Sequence, residues 1–352
     1  MFQRARLIAT LAAATVVFIG ACSGGGGGSS VDAPVIDGAP DDGGPPDGAV
    51  DARAPIDAPA ATDPGMPGPW SVQTQDNVSI ALGTASVRGT VFSPAIGGAP
   101  APGPFPLVVV SSGFQLARAQ YGLYCQHLAT WGYVCITHDY AASGNHQAKA
   151  REIGQIITWA QGPASGLAAR IAGQPVGAAG HSLGGKVTIN AAILDPRIAA
   201  VVGWDPVDAL PPFGNDGSTS VTPELMANLR VPMAVLGELT DAAGGLGGMS
   251  CAPAADNYQK YFEAACQAPA RLEVTIAMAD HMDWIGDRAS CGLACLACRN
   301  GQTPEATVHT ITKRVTTAWF ERHLRANAAV APWLAAPLLG APTSLRTTAP
   351  GC

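Results

Sequence analysis

Val176-Gly177-Ala178-Ala179-Gly180-His181-Ser182-Leu183-Gly184-Gly185 decides how this chain of 352 residues is read. Small apolar residues form a short strand, Gly-x-Ser-x-Gly follows, and residues 186–194 (Lys-Val-Thr-Ile-Asn-Ala-Ala-Ile-Leu) continue as a helix. This is the context of a nucleophile elbow, a sharp strand-to-helix turn that lifts one hydroxyl above a sheet. Glycines at 180 and 184 leave room where side chains would meet the turn and the neighbouring strand. The helix after Ser182 also points free N–H groups and the positive end of its dipole at the same place. A Gly/Ser-rich turn without chemistry is the bland alternative. The strand before and the helix after favour a catalytic serine.

Outward from the elbow, strands and helices alternate. Residues 78–82 and 86–92 read as an opening antiparallel pair, and 94–106 as a Pro/Gly loop. The run Leu107-Val108-Val109-Val110 suits a central parallel strand covered on both faces. A helix is expected over 119–131, a strand over 133–137 and a helix over 147–160. After the elbow come strands at 199–204, 232–236 and 272–276, and helices at 256–265 and 304–324. The order predicts a doubly wound, mainly parallel α/β sheet with helices on both faces.

A serine hydroxyl needs a base within hydrogen-bond reach and a carboxylate to orient that base. In this topology the chain order is Ser, then Asp or Glu, then His. His281, His309 and His323 follow the elbow; the last two fall inside the final helix. His281 follows the last predicted strand, on a loop able to reach the serine, and is the preferred base. Three carboxylates compete as the acid at the carboxyl edge of the sheet: Asp205 after one strand, Glu238 and Asp241 after the next. The oxyanion hole is expected from the backbone N–H groups of Leu183 and of Phe114, in Ser111-Ser112-Gly113-Phe114-Gln115.

The ends have a different composition. Arg4 and Arg6 precede an apolar run, residues 7–19, too short for a comfortable membrane span. Ile19-Gly20-Ala21-Cys22 resembles a bacterial lipobox, which makes residues 1–22 a lipoprotein signal and Cys22 the lipidated residue. Ser23 after the cysteine favours the outer membrane. Residues 23–66, rich in Gly, Asp, Pro and Ala, read as a disordered tether, leaving 67–352 as one folded domain. The net charge is −6; eight aspartates against Arg53 put about −7 of charge in the tether, so the domain is nearly neutral. No basic patch points to nucleic acid. Of nine cysteines, eight lie beyond Cys22, an even set that reads as disulfides in an exported chain. A metal or iron–sulfur site at Cys291, Cys295 and Cys298 ranks below that, since no fourth ligand or His spacing accompanies them.

The residues beyond the elbow resemble the chlorophyllase branch of the α/β-hydrolases. Gly180-His181-Ser182-Leu183-Gly184-Gly185 is similar to the branch's Gly-His-Ser-x-Gly-Gly, and Trp204-Asp205-Pro206-Val207-Asp208 to its strand ending in Asp-Pro-Val. Cys251-Ala252-Pro253 resembles its Cys-Ala-Pro segment. Asp280-His281-Met282-Asp283-Trp284 is similar to Gly-His-Met-Asp-Met, and Cys298-Arg299-Asn300-Gly301 to a late Cys-Lys-Asn-Gly. The resemblance spans about residues 105–324. It implies the α/β-hydrolase fold and an ester hydrolase with Ser182 as nucleophile, Asp205 as acid and His281 as base. Related platelet-activating-factor acetylhydrolases place the acid similarly. Ser112, where the branch tends to have His, and Asp280, where it has Gly, are departures.

The reading that results is a lipid-anchored, exported serine hydrolase of carboxylic esters, working through an acyl-enzyme without metal or organic cofactor. Its partners would be a small-molecule, lipid or polyester ester and, through the anchor, a membrane. A cutinase-like polyester or lipid hydrolase would draw its acid from Glu238 or Asp241. An inactive surface-binding module and a structural lipoprotein are the alternatives of another class.

Overall fold

An antiparallel hairpin of β1 (Ser71–Leu82) and β2 (Ala85–Ile96) opens one edge of a ten-stranded sheet. This computed structural model describes residues 62–142, 145–208, 220–242, 245, 251–292, 295, 298–340, 343–349 and 352. The short β3 (Ala99–Pro100) turns back on the end of β2. Then come β4 (Leu107–Ser111), β5 (Val134–His138), β6 (Val176–His181), β7 (Ile198–Trp204), β8 (Met233–Gly237) and β9 (Arg271–Ile276). β10 (Thr343–Arg346) closes the far edge, antiparallel to β9. The spatial order is β1-β2-β5-β4-β6-β7-β8-β9-β10, and every pairing from β5 to β9 is parallel.

The central strands are buried on both faces, which is why they read as apolar runs without alternation. Alternation survives in which core each residue enters. Leu107 and Val109 join one cluster, Val108 and Val110 the other. α2 (His146–Gln161), α3 (Ala168–Ile171), α4 (Leu183–Leu194) and α5 (Tyr258–Ala264) contribute to the first. α1 (Gly122–Thr130), α6 (Glu305–Leu324) and the short α7 (Ala336–Leu339) contribute to the second. The sheet therefore has helices on both faces, as an α/β-hydrolase fold requires.

The elements differ from expectation in places. β2 runs through Pro94 to Ile96, where a loop was expected. Proline is accommodated beyond the Gly89–Phe92 pairing with β5, where its carbonyl still accepts from Ala101 N–H at 2.8 Å and only the missing N–H is lost. The helix expected from 119 begins as a 3₁₀ turn, Arg118–Tyr121, before α1. β10 was not anticipated; its four residues carry too little pattern. Asp63, assigned to the tether, is bound to the domain: Arg314 pairs with its carboxylate at 2.7 Å, and Trp131 Nε1 donates to the Met66 carbonyl at 2.9 Å. Cys22 and the rest of the tether, residues 23–61, lie outside the described residues.

The eight later cysteines form four disulfides: Cys125–Cys135, Cys251–Cys298, Cys266–Cys352 and Cys291–Cys295. Cys291, Cys295 and Cys298 are thereby divided between two bonds rather than gathered on a metal. Asp241, Cys251 and Cys298 do converge, but their two sulfurs are bonded to each other and offer no thiolate. Among the described residues no helix is long and apolar enough to cross a membrane.

Candidate active site

Ser182 joins β6 to α4 with φ 56° and ψ −122°, a backbone conformation that L-residues rarely adopt. The turn is held on both sides. Ser182 N–H donates to the Trp204 carbonyl at 3.0 Å, and its own carbonyl accepts from Val207 N–H at 3.2 Å. Gly184 has no freedom to be larger, because a Cβ there would overlap the Ser111 carbonyl of β4. The packing thus lets strain concentrate on one residue whose hydroxyl stands at the carboxyl end of the sheet.

Two more residues complete a hydrogen-bonded chain. His281 Nε2 lies 2.9 Å from Ser182 Oγ, and His281 Nδ1 lies 2.5 Å from Asp205 Oδ2. Asp205 has φ 41° and follows β7; its N–H donates to the Leu236 carbonyl of β8 at 2.7 Å. Burial works against the imidazolium of His281. The hydrogen bond and charge of Asp205, with the charges of Asp241 and Asp280, outweigh it and raise the His281 pKa above its ordinary 6.5. Burial also pushes the Asp205 carboxyl up from its ordinary value, opposed by the same bond to His281.

His281 sits in a 3₁₀ turn, His281–Trp284, rather than on the open loop expected. Asp280 caps this turn by accepting from Met282 N–H at 2.8 Å, and Asp283 reciprocates by accepting from Asp280 N–H at 2.8 Å. Arg288 pairs with both carboxylates, at 2.8 and 2.7 Å. Gly301 N–H also donates to Asp280, at 2.6 Å. A Gly at 280 could cap nothing, so the departure from the family pattern has a local purpose here.

The other two candidate acids touch the backbone, not the imidazole. Asp241 Oδ2 accepts from His281 N–H at 2.8 Å, and Oδ1 accepts from Arg299 N–H at 2.6 Å. Glu238 Oε2 accepts from Asp241 N–H at 3.0 Å. Burial, reinforced by the charge of Asp205, pushes the Glu238 carboxyl up to about 9.

Leu183 opens α4, so its N–H has no acceptor within the helix. Phe114 follows the close turn at Gly113, and among the described residues its N–H meets no acceptor. Phe114 is 53% exposed, so packing does not account for it. Sequence reasoning missed what fixes this turn. Gly113 N–H donates to Tyr121 Oη at 3.1 Å, and Tyr121 Oη lies 2.8 Å from His181 Nδ1. His181 Nε2 is 2.8 Å from the His281 carbonyl. Burial, together with the charge of His281, drives the His181 pKa well below its ordinary value, so the ring is neutral. The only consistent tautomer has Tyr121 donating to Nδ1 and Nε2–H donating to His281. His181 was legible only as the residue before the serine.

His309 and His323 lie in α6, away from this chain; His309 Nε2 is 3.0 Å from the Ile285 carbonyl, and His323 lies against Trp319.

Residues 75–349, most of the described domain, match the family model named Chlorophyllase. The chain belongs to the chlorophyllase family. Chlorophyllase-1 of Arabidopsis thaliana is 26% identical over 252 residues, which cover 63% of this chain and 73% of that protein. Membership in the chlorophyllase family makes the chain an α/β-hydrolase and carries the activity class of carboxylic ester hydrolysis. The chlorophyllase motifs quoted from the sequence converge on one place. The elbow, the Asp-Pro-Val turn and the His-Met-Asp turn meet at the carboxyl edge of the sheet. The Cys-Ala-Pro segment and Cys298-Arg299 are joined by a disulfide beside Asp241. Ser112, the other departure, keeps its carbonyl bonded to Tyr140 Oη at 3.0 Å.

Proposed function

We propose that the protein hydrolyses carboxylic esters through Ser182, His281 and Asp205 by way of an acyl-enzyme. His281 Nε2 takes the Ser182 proton as Oγ attacks the ester carbonyl. Asp205 holds the imidazole with Nδ1–H toward itself and balances the imidazolium that forms. The Leu183 and Phe114 amides receive the oxyanion, each worth on the order of 10²–10³ in rate. The imidazolium returns its proton to the alkoxide, which leaves as the alcohol. Water, deprotonated by His281, then attacks the acyl carbonyl, and Ser182 leaves with the proton as the acid is released.

The observation that carries this reading is the unbroken relay Ser182 Oγ–His281 Nε2 and His281 Nδ1–Asp205 Oδ2 on a strained elbow. It disfavours both an inert binding module and a cutinase-like layout with Glu238 or Asp241 as the acid. Phe114, Leu239 and Met278 are all more than half exposed at the carboxyl ends of β4, β8 and β9. That apolar rim suits an ester with a sizeable apolar group, and the name of the Arabidopsis relative puts chlorophyll in the substrate screen. We also assign lipidation at Cys22 and export to the outer membrane, supported by the lipobox-like Ile19-Gly20-Ala21-Cys22 and Ser23.

Turnover of a short-chain nitrophenyl ester by the signal-less protein tests the activity. Ser182→Ala should abolish it with folding intact; retained turnover in that variant would remove the mechanism.

A further inference from the structure

β8, the neighbour of the strand that Asp205 follows, leads directly into Glu238. Glu238 is fully buried, as is Asp205. The two are neighbours by register. Trp204 pairs with Leu236 across β7 and β8, and Asp205 N–H donates to the Leu236 carbonyl, so Glu238 lies two residues beyond the point of contact. Each acid keeps one oxygen engaged: Asp205 Oδ2 with His281 and Glu238 Oε2 with the Asp241 amide. Each also has one buried oxygen without a hydrogen-bond partner, Asp205 Oδ1 and Glu238 Oε1. Orphaned buried oxygens of this kind cost free energy unless something satisfies them. Two carboxylate oxygens cannot bond to each other without a proton. Protonating one of the two acids turns the pair into a donor and an acceptor.

We propose that Glu238 is a protonated positioning residue, whose carboxylic O–H donates to Asp205 Oδ1 and fixes the acid of the relay. The proton belongs on Glu238 because Asp205 already balances His281, while among the described residues no cation acts on Glu238. The raised Glu238 pKa agrees with that assignment. Two consequences follow. Asp205 is held through both oxygens, so its plane, and with it the imidazole, has one orientation. A neutral Glu238 also spares the site a further negative charge, which would hold His281 as imidazolium and stop it acting as a base. The arrangement parallels carboxylic acids kept neutral in apolar surroundings so that they can donate.

The inference rests on Asp205 being the relay acid. Its test uses Glu238→Gln, which keeps a donor at the same place, and Glu238→Leu, which keeps the volume without one. Glu238→Leu should lose roughly 10- to 100-fold in kcat with KM unchanged, and Glu238→Gln should recover most of that loss. In the wild type, the infrared spectrum at neutral pH should contain a carboxylic-acid carbonyl band that shifts when glutamate carboxyls carry heavy carbon. That label separates Glu238 from Asp283, whose carboxyl burial raises to about 7. Burial also raises the Glu305 carboxyl, so the Glu238 band is the one lost in Glu238→Gln, and the absence of any such band in the native enzyme decides even if a variant fails to fold. A missing band, or wild-type kcat in Glu238→Leu, overturns the inference. Phosphonate labelling of Ser182 in the wild type keeps the two claims apart. Its absence would sink the esterase reading, whereas labelled wild type beside an unimpaired Glu238→Leu sinks only the role of Glu238.

Discussion

Asp241 grips the main chain of His281, not its ring: Oδ2 accepts the His281 N–H at 2.8 Å while Asp205 alone engages Nδ1. Three buried carboxylates at one sheet edge therefore have three different tasks. Asp205 bonds the imidazole, Asp241 ties its backbone to Arg299, and Glu238 accepts from the Asp241 amide.

Replacing the two aspartates should separate these tasks. Asp205→Asn removes the charge and can invert the tautomer of His281, and should lower kcat on the order of 10⁴-fold. Asp241→Asn keeps an acceptor for one of its two amides and should cost roughly 10- to 100-fold, with part of the loss in stability. Steady-state rates on a nitrophenyl ester, beside melting curves, decide it. A larger loss in Asp241→Asn would reverse the assignment of the acid.

The pH profile has a direction fixed by His281. The base must be neutral to accept the serine proton, and its carboxylate neighbours favour the protonated form. kcat/KM should therefore fall as pH drops through a value above 6.5. In Asp205→Asn the residual activity should show that limb at lower pH, since the main charge holding the proton is gone. An acid limb unmoved by the substitution would mean that another group controls it.

Much of this site was readable beforehand, and the reason is chemical. Ser182 was recognisable because a strained elbow needs glycines around it, and His281 because it follows the last parallel strand. Asp205, Glu238 and Asp241 could not be ranked by position, since each ends a strand at the same edge. Only side-chain direction separates them, and the resemblance to chlorophyllases had to choose. The disulfide partners and the Tyr121–His181 connection depend on contacts between residues distant in sequence, for which no local pattern exists. The short β10 fell below what alternation can reveal.

The Cys251–Cys298 bond should matter to catalysis as well as stability. Cys251 N–H donates to the Asp241 carbonyl, and Arg299, next to Cys298, donates to its carboxylate. Replacing both cysteines by alanine opens a loop with separation 47 and should cost about 3–4 kcal/mol of stability. kcat should fall at temperatures where the variant is still folded. Full activity in a folded double variant would show that Asp241 is held without the disulfide.

Tyr121→Phe removes the hydroxyl between Gly113 N–H and His181 Nδ1. The oxyanion turn loses one anchor and the buried Gly113 amide its acceptor. A fall in kcat of roughly tenfold is expected, with KM little changed. Activity equal to the wild type would mean that the turn is set by Gly113 packing alone.

The central claim is that Ser182 is an activated nucleophile. Labelling the folded, oxidised, signal-less protein with a fluorescent fluorophosphonate, then mapping the adduct by mass, tests it directly. The account predicts one adduct, on Ser182, which is lost in His281→Ala. Unlabelled Ser182 in the folded wild type, or undiminished labelling in His281→Ala, would contradict it.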